Sequence, residues 1–174
     1  MPNEPEERFA HGDIEAFEIL FRQFQADVYR WIVRIVRRPE IAEDLAVETF
    51  WRIYRAHARF DPARSFGAWA RRIATNVALD YLDSARVEVA LPDVLAAPKA
   101  ADAAIQSETR QRIERAFRQL PGRLQLVATL ALIEEEPYEG IATALGIPVG
   151  TVKSRVFRAV RLLRKKLKGV DIQL

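Results

Sequence analysis

The chain has no cysteine, two histidines and seven glycines among its 174 residues. Without cysteine, neither a disulfide framework nor a thiolate metal site can form. His11 and His57 are far apart in sequence, and neither sits at a metal-ligand spacing. No run approaches the ~20 apolar residues of a membrane span, and residues 1–12 are acidic and polar, which argues against a signal peptide. We therefore expect a soluble cytoplasmic protein without membrane insertion.

Sequence signatures of catalysis are also missing. No glycine-rich phosphate loop follows a strand, and no G-x-S-x-G elbow occurs. The acidic run Glu134–Glu136 is a weak metal candidate, because three adjacent carboxylates on a helix point in different directions. We interpret it as a solvated loop, or as charge near the positive end of a helix that begins at Pro137. The sequence predicts that the protein is not an enzyme and has no cofactor or metal.

Hydrophobic residues make up 49% of the chain and charged residues 29%, which suffices for a packed core and argues against disorder. The net charge of +3 conceals an asymmetry. Residues 1–50 hold six arginines against eleven acidic residues, whereas residues 108–168 hold thirteen Lys and Arg against six Glu. A basic end favours a polyanionic partner. On charge alone, however, a solvated helix face is the stronger interpretation.

Hydrophobic periodicity predicts helices, and no segment shows the strict alternation of a half-buried strand. The first helix is interrupted at Arg37–Pro39, because the residue before a proline avoids the helical region. A turn at Phe60–Pro62 precedes a third helix, for which Ser65 is the expected N-cap. The predicted inner positions of the three helices are Phe17, Leu20, Phe21, Phe24, Val28 and Ile32; Ile41, Leu45, Phe50, Ile53 and Tyr54; and Phe66, Trp69, Ile73, Val77 and Tyr81.

The helical pattern lapses from Ala85 to Gln106. This stretch is rich in alanine, lacks aromatic residues and contains Pro92 and Pro98. We interpret it as an interdomain linker that can include a short helix. A loosely packed helix inside one domain is the alternative, which the two prolines disfavour. Periodicity resumes after Ser107, with one helix that stops at Pro121-Gly122 and three more beyond it.

The segment Tyr138–Val156 looks like a helix-turn-helix. Ala142 lies in the first helix, where a small side chain allows close crossing, and Gly146 follows at the tight turn. Pro148 pre-sets a helical backbone at the start of the second helix, and Val152 would fill the space between the helices. An ordinary helical hairpin is the alternative interpretation of this spacing.

The second helix of this motif, from Ile147 to Lys168, is basic and has no acidic residue. In a helix-turn-helix the start of this helix enters the major groove, and later residues reach phosphates. Arginine can bind guanine bidentately, with ~1–3 kcal/mol of discrimination, and phenylalanine can touch a thymine methyl group. Core packing is the alternative for Phe157. We expect base contacts from Lys153, Ser154, Phe157 and Arg158, and phosphate contacts from Thr151, Arg155 and Arg161.

From about Ile14 to Lys168 the chain resembles the extracytoplasmic-function (ECF) sigma factors of the sigma-70 family. The signatures, specific as an ordered set, are Ala42–Tyr54, Phe60–Leu82, Leu120-Pro121 and Gly146–Arg158. The resemblance implies an all-α fold with two small helical domains joined by a flexible linker. Sigma domain 2 would cover residues 1–84, the linker 85–107, and the helix-turn-helix sigma domain 4 residues 108–174. Such a protein directs core RNA polymerase to specific promoters and assists DNA melting.

The resemblance also implies partners: core RNA polymerase, through its β′ clamp helices and β flap, promoter DNA, and an anti-sigma factor that holds the protein inactive. Val47 departs from the family, which usually has glutamine there, so that contact can be lost or become apolar. Leu45 and Phe50 are also expected in the core, whereas Asp44 and Glu48 share one helix face and suit a partner better. The residues implied to bind core polymerase are Asp44, Leu45, Glu48, Thr49 and Phe50.

By the same resemblance, the third helix melts the promoter and binds its −10 element. Base edges become accessible on single strands, at a cost of a few kcal/mol for extruding a base. Trp51 and Trp69 could serve as stacking platforms, but burial in the core is the stronger expectation for both. The residues implied to contact the −10 element are Arg52, Phe60, Arg64, Arg71 and Asn76.

Two other functions are compatible with parts of the sequence. A free-standing helix-turn-helix transcriptional regulator would bind duplex DNA alone, usually as a dimer on a palindrome. A helical adaptor with a basic tail would bind an acidic protein. The adaptor hypothesis does not explain the spacing of Ala142, Gly146 and Val152.

Overall fold

The structure, a computed structural model, describes residues 4–89 and 101–168, with side chains over 4–86 and 107–168. In these residues the backbone forms eight α-helices, one 3-10 turn and one π-helical turn, and it forms no strand. The chain divides into two compact units, Met1–Ala78 and Leu79–Leu174. The predicted all-α class with two small helical domains is therefore confirmed.

The first unit contains helices α1 (Glu4–Ala10), α2 (Ile14–Val36) and α3 (Pro39–Arg55), a 3-10 turn (His57–Arg59) and the start of α4 (Phe66–Val89). Apolar residues at three- and four-residue steps lie on one side of a helix, so each helix buries one side and exposes the other. The buried positions that the periodicity predicts in these helices include Leu20, Val28, Ile32, Phe50, Ile53, Phe66 and Val77.

The ends of α2 and the start of α3 follow from local sequence. The Oδ1 atom of Asp13 accepts hydrogen bonds from the backbone N–H groups of Glu15, at 2.9 Å, and Ala16, at 3.2 Å. At the other end, Arg37 has a left-handed backbone with φ of 54°. Pro39 opens α3, where a missing N–H leaves no bond unmade. The predicted interruption at Arg37–Pro39 is confirmed.

Asp13 makes the stability of the first unit depend on pH. A hydrogen bond from Arg8, at 2.7 Å, and then the backbone N–H groups of Ala16 and Glu15 lower the pKa of its carboxyl group. A lowered folded-state pKa adds stability above the unfolded pKa, and this stability is lost as pH falls through the folded value. We therefore expect Asp13→Asn to lower the melting temperature at pH 7. Below about pH 4, the melting temperatures of the variant and the wild type should approach each other.

Circular dichroism melts between pH 2.5 and 7 measure this difference directly. Glu15→Gln is the matched control, because its side chain is 85% exposed and contacts the same Arg8 at 3.3 Å. A melting-temperature gap for Asp13→Asn that stayed constant down to pH 2.5 would show that the charge of Asp13 does not stabilise the helix.

An aromatic cluster closes one end of the first unit. Phe9, on α1, is 1% exposed, and its ring centroid lies 5.6 Å from that of Phe66, 6.0 Å from Phe60 and 6.2 Å from Trp69. Aromatic rings at such distances and angles attract one another, and this attraction adds to the stabilisation that comes from burying their surface. The polar N-terminal segment therefore forms a short helix whose one buried residue is Phe9, and periodicity does not detect this helix.

Helix α4 begins as the sequence predicts. The Oγ atom of Ser65 accepts a hydrogen bond from the Ala68 N–H at 3.2 Å, and the Ser65 carbonyl accepts from Trp69 at 3.1 Å. The expected N-cap is thus confirmed. In the loop before it, the Asp61 carboxylate accepts from the Ala63 N–H at 3.0 Å, a local bond that holds the turn.

The second unit contains helices α5 (Ala101–Arg118), α6 (Gly122–Ala128), α7 (Tyr138–Leu145) and α8 (Val149–Lys166), with a π-helical turn at Thr129–Ile133. Within it, α6 and α7 both pack against α8. One buried cluster joins α5, α6 and α8; its members are Ala116, Leu120, Ala128, Ala159, Leu163 and Leu167.

Helical backbone occupies both ends of the segment predicted as a linker. Helix α4 extends to Val89, and α5 begins at Ala101. Pro92 and Pro98 lie outside the described residues, and so does the acidic Asp93. The domain boundaries at residues 84 and 107 remain predictions. No helix in the described part of the chain is long and apolar enough to cross a bilayer.

Helices α7 and α8 meet at the tight turn that the spacing predicts. Gly146 ends α7 with a φ of 63°, and the Ile147 N–H donates to the Ala142 carbonyl at 3.0 Å. Ala142 is 7% exposed and Val152 is fully buried, so both fill the crossing. Pro148 stands one residue outside α8 as its N-cap, with ψ of 145°; its fixed φ orients the chain before the helix rather than within it.

Substitution of two glycines in this motif tests the effect of backbone conformation alone, because an added side chain would clash with no neighbour. A Cβ at Gly146 or Gly150 would meet nothing within 4 Å. Because Gly146 is left-handed, Gly146→Ala should destabilise the second unit by about 1–2 kcal/mol. Gly150 lies in the first turn of α8, where Gly150→Ala should instead stabilise by about 0.5–1 kcal/mol. Urea denaturation measures the free energy of unfolding of each variant. Changes of the same sign in the two variants would contradict the prediction.

Candidate nucleic-acid interface

The exposed side of α8 carries the residues for which the sequence predicts DNA contacts. Its opposite side is held by contacts with α6 and α7, through the buried residues Val152, Val156, Ala159 and Leu163. Burial of one side fixes which residues face solvent. Exposed on the other side are Lys153, Ser154, Phe157, Arg158 and Arg161, with Thr151 and Arg155 half-buried at its edges.

Phe157 stands in the middle of this cationic surface with 69% of its area exposed. Core packing, the alternative role for this residue, is therefore wrong. An exposed ring among cations can contact a thymine methyl group in the major groove. Beside it, the Ser154 hydroxyl donates to the Thr151 carbonyl at 3.0 Å, which leaves its oxygen lone pairs available to a donor.

Three guanidinium groups influence one another at the base of this surface. Burial lowers the pKa of Arg155, and the positive charges of Arg123 and Arg158 lower it further. Among residues 107–168, none of these three arginines forms an ion pair with a carboxylate. Like charges held together without an anion favour a phosphate partner. Sequence reasoning missed Arg123, because periodicity within α6 does not reveal which helix packs beside it.

Two residues of α4, Arg71 and Asn76, are implied by the resemblance to contact the −10 element. Arg71, Arg72 and Asn76 are exposed, and Thr75 is half-buried. On the opposite side of the helix, Ala70, Ala74 and Val77 are buried. The helix thus presents two cations and an amide in successive turns, groups that can bind phosphates and base edges.

Phe60, predicted at the −10 element, is only 5% exposed. Its ring lies 5.0 Å from Trp69 and 5.5 Å from Phe66, centroid to centroid. The side chain therefore supports the loop from inside and offers no stacking face. Trp69 is half-buried in the same aromatic cluster, in line with the expected core role.

Two predicted cations already have carboxylate partners. The Nε atom of Arg52 lies 2.7 Å from a carboxylate oxygen of Glu48, and that of Arg64 lies 3.5 Å from Asp61. Both pairs are partly or largely exposed, so each contributes little to stability and can exchange its partner.

One side of α3 is apolar and exposed. Val47 is 72% exposed and Trp51 is 55% exposed, and Asp44 and Glu48 lie on the same side of the helix. The expectation that Trp51 is buried is wrong, because its side chain does not lie on the side of α3 that buries Phe50 and Ile53. We call these four residues, Asp44, Val47, Glu48 and Trp51, the outer face of α3.

Three other residues predicted at the polymerase contact are less accessible. Thr49 is fully buried, and its hydroxyl donates to the Leu45 carbonyl at 2.7 Å. Phe50 is 4% exposed and packs on Phe21 with 4.7 Å between centroids. Leu45 is half-buried. Thr49 and Phe50 therefore hold α3 in place and offer no side-chain surface to a partner.

The acidic run and the histidines have structural roles. Glu135 has a left-handed backbone with φ of 53°, between the π-helical turn and α7. His11 and His57 each hydrogen-bond through Nδ1 to a backbone carbonyl, of Glu7 at 2.8 Å and of Tyr54 at 2.9 Å. In the described residues, no three His, Asp or Glu side chains are grouped so that they could hold a metal ion.

Comparison with known proteins matches two successive parts of the chain. The pattern of Sigma-70 region 2 matches residues 20–87, and that of Sigma-70, region 4 matches residues 110–163. The RNA polymerase sigma-H factor of Pseudomonas aeruginosa is 32% identical, with 93% of this chain and 91% of that protein aligned. The ECF RNA polymerase sigma factor SigW of Bacillus subtilis is 30% identical, over 91% of this chain and 92% of that protein.

A solved structure, CnrH in complex with the cytosolic domain of CnrY, has a similar fold, with a TM-score of 0.51 at 23% identity over 94% of each chain. The helix-turn-helix of the second unit lies within the region 4 match, and the region 2 match covers α3 and most of α4. The chain therefore belongs to the ECF group of the sigma-70 family, the RNA polymerase sigma factors that direct the core enzyme to promoters.

Proposed function

We propose that this sigma factor selects promoters through two DNA contacts while its first unit binds the polymerase. Helix α8 binds the upstream −35 element as duplex, the polar side of α4 captures the unpaired −10 strand, and the outer face of α3 docks on the β′ clamp helices. The observation that carries the proposal is the exposed side of α8, where Lys153, Ser154, Phe157 and Arg158 stand on a helix fixed by its buried side.

In the upstream contact, bases and phosphates are bound by different residues. Arg158 can bind a guanine bidentately, and Phe157 can touch a thymine methyl group; each good bidentate pair is worth about 1–3 kcal/mol of discrimination. Arg123, Arg155 and Arg161 are assigned to phosphates. Phosphate contacts set register and add affinity on every sequence alike.

In the downstream contact, the DNA must be unpaired before α4 can bind a base edge. The Asn76 amide has both donors and an acceptor, so it can bind the edge of an extruded base. Arg71 and Arg72 lie on the same exposed side and suit the phosphates of that strand. Arg64 and Phe60 are assigned to the loop beside it, Phe60 as a support from inside.

The polymerase contact is assigned to the outer face of α3. Asp44, Val47, Glu48 and Trp51 follow the spacing of adjacent residues on one helix side. Protein interfaces commonly have an apolar centre with an aromatic anchor and a charged rim. Val47, which replaces the glutamine usual in the family, extends the apolar centre beside Trp51.

Other partners follow from the family. The β flap of the polymerase is assigned to the second unit, and an anti-sigma factor is assigned as the inhibitor, as CnrH is seen with the cytosolic domain of CnrY. The chemistry of RNA synthesis belongs to the polymerase, so the chain itself is not an enzyme. It acts in the cytoplasm, where the polymerase and its DNA are.

Run-off transcription with purified core polymerase and genomic promoter fragments tests the proposal. We expect initiation at a restricted set of two-part promoters with the chain present, and weak DNA binding by the chain alone. A free-standing regulator would bind duplex sites tightly without core enzyme. Identical start sites with and without the chain would refute the proposed function.

A further inference from the structure

Trp31, on α2, touches the polar side of α4 at two points. It is 6% exposed, and its Nε1–H donates a hydrogen bond to the Thr75 hydroxyl oxygen at 2.9 Å. The Cζ atom of Arg71 lies 5.2 Å from the centre of its indole ring. Thr75 is adjacent to Asn76 in sequence, and Arg71 lies in the preceding turn of α4. The hydrogen bond joins residues 44 positions apart in sequence, so no local sequence pattern predicts it.

The hydrogen bonds form a short relay with a defined direction. The Thr75 hydroxyl donates its one hydrogen to the Arg71 carbonyl at 2.8 Å. Its lone pairs then accept from Trp31, since an indole N–H can only donate. The hydroxyl is thereby held in a single orientation, and the indole is tied through it to the backbone of α4.

Arg71 is held without losing its charge. Within the first unit, Arg52 and Arg64 lie beside carboxylates, whereas Arg71 forms no ion pair with any described residue. A guanidinium over an indole face is restrained by the ring, while the N–H donors at its edge stay available. A second guanidinium, that of Arg34, lies 5.5 Å from the same ring centre.

We infer that Trp31 is a positioning residue for the unpaired −10 strand: it holds Arg71 and Thr75 so that α4 presents a restrained, un-neutralised cation in the turn that precedes Asn76. The inference rests on the proposed function, because it concerns how the strand-binding side of α4 is organised. Trp31 itself touches no DNA in this scheme. Its indole N–H and its ring act separately, one on Thr75 and the other on Arg71, and conservative substitutions can separate the two.

The test measures strand binding by the complete holoenzyme. The probe is a fluorescein-labelled non-template −10 strand from a promoter identified by run-off transcription, and the readout is anisotropy. Trp31→Phe keeps a ring and removes the N–H; we expect affinity to fall about fivefold, as for one hydrogen bond of ordinary net strength. Trp31→Leu removes the ring as well and should reduce affinity further.

Two additional comparisons separate positioning from simple packing. Thr75→Val should weaken binding as much as Trp31→Phe, and the double variant should be no worse than either, because both break the same bond. Ile32→Val is the control for lost stability, since Ile32 is fully buried on the same helix and makes no polar contact with α4. It should lower the melting temperature without changing strand affinity.

The inference is overturned if Trp31→Phe binds the strand as tightly as the wild type, or if Ile32→Val weakens it equally. It is also overturned if the losses for Trp31→Phe and Thr75→Val simply add. Failure of the proposed function has a different signature, since the wild-type holoenzyme itself would then show no binding of the −10 strand. Trp31→Phe is the informative variant should Trp31→Leu fail to fold.

Discussion

Trp51→Ala is expected to weaken the association of this sigma factor with core RNA polymerase by about 30-fold or more. Trp51 is 55% exposed on the outer face of α3, one turn after Val47, which is 72% exposed. Interface tryptophans that become buried are frequent hot spots, with losses of about 2 kcal/mol or more on truncation, and each 1.4 kcal/mol is tenfold in affinity. The substitution removes exposed surface, so the fold should be retained.

Titration of labelled protein with core enzyme measures this effect. Ile19→Ala is the matched control: Ile19 is 45% exposed on α2 of the same unit, outside the outer face of α3. Affinity for core should be unchanged in the control. An unchanged dissociation constant for Trp51→Ala, or equal losses for both variants, would remove the outer face of α3 from the polymerase contact.

Arg158→Ala is expected to relax recognition at one base pair of the −35 element. At the matching position the discrimination between the preferred and other bases should fall about 5- to 150-fold, the equivalent of 1–3 kcal/mol. At every other position the base preference should remain. The loss is confined because a bidentate contact discriminates only at the base that it touches.

The measurement uses holoenzyme and a promoter set with each upstream base pair changed in turn. Arg161→Ala is the matched control, since it lies one turn further along the same exposed side and is assigned to a phosphate. It should weaken all promoters by a similar factor. If Arg158→Ala behaved in that uniform way, Arg158 would be a phosphate contact, and the remaining candidates for base contacts would be Lys153, Ser154 and Phe157.

The helices that carry the candidate site were predictable because their signals are local. Ser65 caps α4, and Gly146 ends α7 with the left-handed backbone that its position in the motif requires. The regular spacing of Val152, Val156 and Ala159 decides which side of α8 is exposed. Each of these features depends on residues within a few positions of one another.

Features that depend on residues distant in sequence could not be predicted from sequence patterns. Phe9 is buried by rings from α4 and the loop before it, so its neighbours in sequence do not predict that α1 packs. Trp51 was expected in the core because tryptophan is usually buried. Its exposure depends instead on which side of α3 carries its side chain. The hydrogen bond between Trp31 and Thr75 and the approach of Arg123 to Arg155 likewise require the assembled helices.

The proposed contact between α8 and promoter phosphates predicts a defined response to ionic strength. Because Arg155 forms no ion pair with a carboxylate among the described residues, its binding to a phosphate would displace counterions without breaking an ion pair within those residues. The logarithm of affinity then falls linearly with the logarithm of salt concentration, with a slope of about −0.9 for each phosphate neutralised. A rise in cellular potassium would lower the affinity for every promoter by a common factor. Transcription of the genes with the weakest upstream elements would therefore be lost first.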